Sequence, residues 1–150
     1  MNPVRHVLVL NGPNLNLLGV REPEVYGSAT LADIGALCRA EGLLLGLVVD
    51  FRQTNAEHEM LAWIHAARGV YNAIAINAAA WTHTSIALHD ALKTFDGPVV
   101  EVHLSEPMER EAFRHTSYIE PLAAARFAGM GPEGYVRALA WIAQSERPGP

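Results

Sequence analysis

Short apolar runs alternate along this chain with segments in which apolar residues recur at helical spacing. The runs predict buried strands, and the spaced apolar residues predict amphipathic helices. The predicted strands span 6–10, 46–52, 73–76 and 99–104, with a short irregular strand near 126–129. The predicted helices span 30–43, 56–68 and 132–144, and a further helix begins between Thr82 and Ser85 and ends before Gly97. Thr30 is expected to cap the first helix.

This order of elements predicts an α/β fold. Strands that alternate with helices form crossover units, and such units build a parallel sheet. Five strands with helices on both faces indicate a flavodoxin-like doubly wound five-stranded parallel sheet. The length of 150 residues suits one domain, and no linker, repeat or low-complexity segment divides residues 1–150.

Polar side chains follow four of the predicted strands, at the edge where such a sheet binds its ligands. These are Asn11, Asn14 and Asn16; then Gln53, Thr54 and Asn55; then Asn77, Thr82, His83 and Thr84; and finally His103, Ser105 and Glu106. Each group alone is typical of turns and caps, but their recurrence predicts a polar-ligand site. Because the first turn has no P-loop or GxGxxG pattern, the ligand is expected to be uncharged or to carry a carboxylate.

Charge and hydropathy narrow the classes of partner. The net charge of −5 argues against nucleic acid as the main partner. No stretch reaches the roughly 18 apolar residues of a membrane span. The segment 1–6 has no apolar signal core. The composition therefore predicts a protein without membrane or nucleic-acid partners.

Three residue types limit the chemistry. The single cysteine, Cys38, excludes an internal disulfide and fits a reducing cytoplasm, and its place in an apolar helical row predicts a buried side chain. The only lysine, Lys93, falls off the apolar row of its helix, so a surface position is expected and a Schiff-base mechanism is disfavoured. The seven histidines show no HExxH spacing, so no metal site is predicted.

Ordered sequence blocks resemble the type II 3-dehydroquinate dehydratases over nearly the whole chain. The first block is Asn11–Gly19 with Arg21–Pro23 and Tyr26–Gly27. The later blocks are Asp50–Gln53 with Asn55, Glu57 and Trp63–His65; Thr82–Ser85 with Ala87–Leu88 and Asp90–Leu92; Glu101–Ser105 with Arg110–Glu111, Phe113–His115 and Ser117–Tyr118; and Gly134–Tyr135.

The resemblance implies a cofactor-free dehydration of 3-dehydroquinate to 3-dehydroshikimate through an enolate, in the shikimate pathway or in quinate breakdown. Tyr26 then matches the base that removes a proton alpha to the ketone. Arg21, with Arg110 as a further cation, would favour its phenolate. Asn14 matches the residue that holds a water against the enolate oxygen. His103 matches the general acid for the departing hydroxyl, with Glu101 two residues earlier on the same side of the strand.

The resemblance also implies how substrate is held. Asn77, His83 and Arg114 match residues that bind substrate hydroxyls, and the backbone amides of Leu104 and Ser105 would take the carboxylate. The resemblance further implies that Asp90 comes from a neighbouring subunit of a dodecamer built from trimers. The loop 19–27, which Gly19 and Gly27 bound, is expected to close as a lid.

The chain departs from the family pattern in three places. After Asn77 the family usually reads Pro-Gly-Ala-Tyr, whereas this chain reads Ala-Ala-Ala-Trp, which predicts either backbone strain at Ala79 or a re-routed loop. Glu106 replaces an asparagine, and its charge is expected to weaken binding unless it points away or pairs with an arginine. The segment 123–128 replaces a Gly-Val-Ile run.

Two other function classes compete with the dehydratase. One is a catalytically weak paralogue that binds a related carboxylated polyol, which binding without turnover would support. The other is a flavodoxin-like nucleotide or flavin binder, which the missing phosphate loop disfavours.

Overall fold

The computed structural model describes residues 3–20, 24 and 28–145, which form a five-stranded parallel sheet flanked by helices. The strands are β1 (Arg5–Asn11), β2 (Leu47–Gln53), β3 (Ala73–Asn77), β4 (Val99–His103) and β5 (Ala125–Ala128). The helices are α1 (Leu31–Leu44), α2 (Glu57–Ala67), α3 (Ile86–Leu92) and α4 (Glu133–Gln144). The strand order β2-β1-β3-β4-β5 confirms the predicted flavodoxin-like topology.

Each face of the sheet has its own apolar core. Ile34 of α1 and Leu139 of α4 pack with strand side chains on one face. Met60 of α2 and Leu88 of α3 pack with strand side chains on the other. Since the central strands are covered on both faces, both sets of their alternating side chains are apolar, which explains the uninterrupted runs in the sequence.

Predictions for single residues outside the site are also confirmed. Thr30 caps α1 in a reciprocal box, because its hydroxyl accepts from Asp33 N–H while the Asp33 carboxylate accepts from Thr30 N–H. Cys38 is fully buried, and burial raises the pKa of its thiol to about 12. The thiol therefore stays protonated near neutral pH. Lys93 is exposed. Within the described part of the chain, no helix is both long and apolar enough to cross a membrane.

The loop after β3 has backbone strain at Ala79, which was one of the two predicted outcomes. Ala79 has φ of 52°, in the left-handed region that disfavours residues with a Cβ. It begins the 3-10 helix Ala79–His83, and Asn77 Oδ1 accepts a hydrogen bond from its backbone N–H at 3.2 Å. Gly12 lies directly beside this loop, where an added Cβ would stand 2.3 Å from the Ala78 carbonyl oxygen. The loops after β1 and β3 therefore touch through backbone atoms.

Ala79→Gly is expected to raise the free energy of unfolding by about 1 kcal/mol, because glycine adopts positive φ without the steric cost that alanine carries. Urea unfolding followed by circular dichroism measures this change. Ala80→Gly is the matched control, because it makes the same substitution at a neighbouring residue that does not have a positive φ. This variant should be less stable than wild type. Equal destabilisation in both variants would contradict the assignment of strain to Ala79.

Candidate active site

A cleft lies beyond the carboxyl ends of β1, β3 and β4, beside the point where the strand order reverses. The space between its lining atoms is about 610 Å³, a volume that includes open solvent. The lining residues are Pro13, Asn14, Leu15, Leu18, Asn77, Ala79, Ala80, His83, His103, Leu104, Ser105, Pro107, Arg110 and Arg114. The doubly wound topology places ligands at this edge, so the cleft is the candidate site.

Most of the predicted site residues meet at this cleft. Those that line it are Asn14, Asn77, His83, His103, Leu104, Ser105 and Arg114. Glu101 contacts His103, while Asp90 is exposed on α3 and is not among the described residues that line the cleft. Arg21 and Tyr26, with most of the predicted lid 19–27, lie outside the described residues.

The buried pair Glu101 and His103 forms the floor of the cleft. Both side chains project from β4 on the same side, and Glu101 Oε2 lies 2.6 Å from His103 Nε2. The Ser117 hydroxyl donates to the same carboxylate oxygen at 2.8 Å. Glu101 is fully buried and His103 is 5% exposed. A carboxylate at this distance fixes the orientation of the imidazole ring and leaves the second ring nitrogen for a ligand.

Glu106 pairs with an arginine. This is one of the two arrangements in which its charge was not expected to weaken the binding of an anion. Its carboxylate accepts from Arg126 Nη2 at 2.9 Å and from Nη1 at 3.3 Å. This hydrogen bonding is the main reason that the pKa of Glu106 is lowered. Glu106 is also not among the described residues that line the cleft. Arg126 belongs to the segment 123–128, so two departures from the family pattern compensate one another.

Asn77 is held by a buried hydrogen-bond chain. Its Nδ2 donates to the Tyr135 hydroxyl at 2.9 Å, and that hydroxyl donates to Asn11 Oδ1 at 2.7 Å. Asn11 Nδ2 in turn donates to the Arg52 carbonyl oxygen. Tyr135 is buried, and burial raises the pKa of its phenol, so the hydroxyl remains protonated. Asn11 therefore positions Asn77 rather than lining the cleft.

Tyr135→Phe is expected to lower the free energy of unfolding by about 1–3 kcal/mol, since it leaves Asn77 Nδ2 and Asn11 Oδ1 without their buried partner. Chemical denaturation measures the loss. Tyr71→Phe serves as control, because the Tyr71 hydroxyl bonds Asp50 in a partly exposed site where water can replace it. A larger loss in Tyr71→Phe would contradict the role given to the buried chain.

The polar residues after β2 do not reach the cleft, which corrects the expectation that all four strand ends contribute. Gln53 Nε2 donates to the Gly12 carbonyl oxygen at 3.1 Å, and Asn55 Oδ1 accepts from the Asn14 backbone N–H at 2.8 Å. Asn14 has φ of 70°, a conformation that asparagine tolerates better than most residues. The end of β2 therefore braces the loop that carries Asn14 and leaves the site to three strands.

Two arginines and His83 also line the cleft. Arg110 and Arg114 both line it, and Glu111 accepts from Arg114 Nε at 2.9 Å. His83 Nδ1 lies 2.8 Å from the Thr116 carbonyl oxygen, and burial lowers the pKa of this imidazole. A neutral His83 donates or accepts hydrogen bonds, so the cleft offers two guanidinium groups and several neutral polar groups to a ligand. This combination suits a small polar molecule with a carboxylate.

Three residues of this arrangement were not assigned a role from the sequence. Ser117 and Tyr135 belong to sequence blocks that resemble the family. Their hydrogen-bond partners, Glu101 and Asn77, lie 16 and 58 residues away in the sequence, so no local pattern indicates these contacts. Arg126 lies opposite Glu101 in the register of β4 and β5, which periodicity does not reveal. Among residues 3–20, 24 and 28–145, no group of three or more His, Cys, Asp or Glu side chains is placed to hold a metal ion.

The chain is similar to known proteins over most of its length. The family described as dehydroquinase class II matches residues 5–143. The 3-dehydroquinate dehydratase 2 of Pseudomonas aeruginosa is 57% identical over 140 residues, which cover 93% of this chain and 95% of that protein. The 3-dehydroquinate dehydratase of Methylobacterium radiotolerans is 56% identical over 91% of this chain and 92% of its own. The type II dehydroquinase of Propionibacterium acnes has a similar crystal structure, with a TM-score of 0.92 and 43% identity over 97% of this chain and 100% of that one.

Proposed function

The chain belongs to the dehydroquinase class II family, and from this premise we propose that it dehydrates 3-dehydroquinate to 3-dehydroshikimate. The observation that carries the proposal is the buried Glu101–His103 pair beneath a cleft lined by Arg110 and Arg114. The reaction is a β-elimination: a proton leaves the carbon alpha to the ketone, and the β-hydroxyl leaves as water. These steps transfer no electrons to or from a partner and require no redox cofactor.

His103 is proposed to protonate the departing hydroxyl. As an imidazolium held by Glu101, it carries a proton that can be transferred as the carbon–oxygen bond breaks. Tyr26, beyond the described residues, is proposed as the base, with Arg21 and Arg110 favouring its phenolate. Asn14 is proposed to hold a water against the enolate oxygen, where a fixed dipole stabilises the developing charge. The place of Asn14 and His103 in one cleft supports this division of roles.

Substrate binding is proposed to use the rest of the cleft. Asn77, His83 and Arg114 would hold the hydroxyls, and the backbone amides of Leu104 and Ser105 would hold the carboxylate. The pairing of Glu106 with Arg126 supports carboxylate binding next to Ser105, because it neutralises the nearest extra anion.

The proposal extends to assembly and location. We propose a dodecamer built from trimers, with Asp90 reaching the cleft of a neighbouring subunit, and a cytoplasmic protein that acts in the shikimate pathway or in quinate breakdown. The exposure of Asp90 on α3 supports its availability to a second copy. Size-exclusion chromatography with light scattering tests the oligomer, since a monomer would contradict both statements.

The proposed reaction is tested by product analysis. Wild-type protein in chelator is incubated with 3-dehydroquinate, and proton NMR is expected to show the vinyl proton of a conjugated enone. Calorimetric binding of 3-dehydroquinate is measured in parallel. Binding without product would favour the alternative of a carboxylated-polyol-binding paralogue, and neither binding nor product would overturn the assignment.

A further inference from the structure

Arg126 connects the floor of the cleft to Glu106. It stands opposite Glu101 in the β4–β5 register, and its side chain is 27% exposed. Its Nη atoms donate to Glu106, and its Nε lies 3.8 Å from Glu101 Oε1. One guanidinium therefore faces two carboxylates, of which one is fully buried and bonded to His103.

The contact between Arg126 and Glu101 is unusual because both atoms are buried and lack hydrogen-bond partners. Within the described part of the chain, Arg126 Nε and Glu101 Oε1 each have no partner. Buried polar atoms are almost always hydrogen-bonded, which makes this pair an exception. At 3.8 Å the two atoms are too far apart for a hydrogen bond, so the interaction between them is the attraction of opposite charges. Oε2 carries the bonds to His103 and Ser117, and Oε1 faces the cation.

The charges of this group balance in one protonation state. Ionised Glu101 and Glu106 contribute two negative charges, Arg126 contributes one positive charge, and an imidazolium at His103 supplies the second. The group is neutral when His103 carries its acidic proton. Removal of Arg126 or of Glu106 would therefore change the net charge beside His103 in opposite directions.

We propose that Arg126 is a positioning residue that, together with Glu106, sets the pH range over which the Glu101–His103 pair holds the proton it donates. This proposal rests on the proposed function. Arg126 places a positive charge 3.8 Å from Glu101 Oε1, and the carboxylate of Glu106 offsets that charge. The pair of departures at 106 and 126 is therefore a charge-matched unit that acts on catalysis through Glu101.

Other charged groups lie near this unit, among them Arg110, which lines the cleft with His103 and lies 3.8 Å from Glu111. His83 and Arg114 lie across the cleft and interact with one another electrostatically, and His83 also interacts with His103 and Glu101. Glu120 interacts with Arg126 from the loop before β5. On the α3 side, His89 is engaged by the Tyr118 carbonyl oxygen at 2.7 Å. These groups stay constant in the variants below, so they do not contribute to a difference between them.

Substitutions of Arg126 and Glu106 are expected to move the titration of the His103 ring in opposite directions along the pH scale. Arg126→Gln leaves an excess negative charge, so the NMR titration of the His103 ring and the alkaline limb of kcat/KM should move to higher pH by about one unit. Glu106→Gln leaves an excess positive charge, so both should move to lower pH by a smaller amount. The double variant is neutral again, and its titration should return close to that of wild type.

The experiment records NMR titrations of histidine-labelled wild type, both single variants and the double variant, with His103 assigned by its loss in His103→Asn. Arg137→Gln is the matched control, because Arg137 is 60% exposed on α4 and pairs only with Glu133 among the described residues, so no shift is expected. The NMR readout does not need turnover. Absence of wild-type turnover would therefore overturn the proposed function separately.

Opposite shifts with compensation in the double variant support the proposal. Shifts in the same direction, or no shift beyond that of Arg137→Gln, overturn it. If Arg126→Gln does not fold, Glu106→Gln alone decides the matter, since a merely structural role for the ion pair predicts no downward shift.

Discussion

Replacing His103 with asparagine is expected to lower kcat by about 10²–10⁴-fold, the usual contribution of a general acid or base. Hydroxide is a poor leaving group, and the proposed reaction needs a proton at the departing oxygen. The Ser117 hydroxyl still donates to Glu101 Oε2 in this variant, so the buried carboxylate keeps one partner and the fold should persist. Steady-state kinetics with circular dichroism on the same samples measures both effects.

The His103→Asn variant also separates the two halves of the reaction. With Tyr26 intact, the proton alpha to the ketone should still exchange with solvent, and NMR in D₂O should show its loss without enone formation. His58→Asn is the matched control, since His58 is exposed on α2, and it should retain full activity. A kcat within tenfold of wild type in His103→Asn would contradict the role of general acid.

Replacing Tyr26 with phenylalanine is expected to remove activity to a similar extent, about 10²–10⁴-fold in kcat. A phenol must lose its proton near neutrality to act as base, which requires its pKa to fall by roughly 2–3 units, or about 3–4 kcal/mol. Arginine side chains provide such a shift, and Arg110 lines the cleft. Phenylalanine keeps the ring and removes only the proton acceptor, so substrate binding should change little.

The control for Tyr26→Phe makes the same change at Tyr118, whose backbone N–H bonds the Thr82 carbonyl oxygen without use of the phenol. Tyr118→Phe should keep wild-type kcat. Unlike His103→Asn, the Tyr26→Phe variant should also lose solvent exchange of the alpha proton. Retention of that exchange in Tyr26→Phe would show that another group is the base.

Most of the fold could be predicted from the sequence, because its strands and helices depend on interactions between residues that are close in the chain. Val7 to Leu10 and Ala73 to Ile76 lie in strands covered on both faces, so both side-chain sets are apolar and the strands are visible as runs. Thr30 and Asp33 mark the start of α1 through a local capping box. These patterns involve only residues that are close in the chain, so they can be recognised in a single sequence.

Contacts between distant segments are what the sequence could not provide. Glu101 meets Arg126 only because β4 and β5 pair in one register, and Tyr135 reaches Asn77 only because α4 packs over β3. The residues after β2 look no different from those after β3, yet Gln53 braces a loop while Asn77 lines the cleft. The strain at Ala79 was predictable, because the family resemblance marked that position as one usually occupied by glycine.

The most direct test of the account is the near-ultraviolet absorbance of wild-type protein mixed with 3-dehydroquinate, followed continuously beside Tyr26→Phe and His103→Asn. A conjugated enone absorbs in this region and the substrate does not. Absorbance is expected to rise with wild type in the presence of chelator, and the rate of the rise should fall by about 10²–10⁴-fold in each variant. No rise from folded wild-type protein that binds 3-dehydroquinate would contradict it.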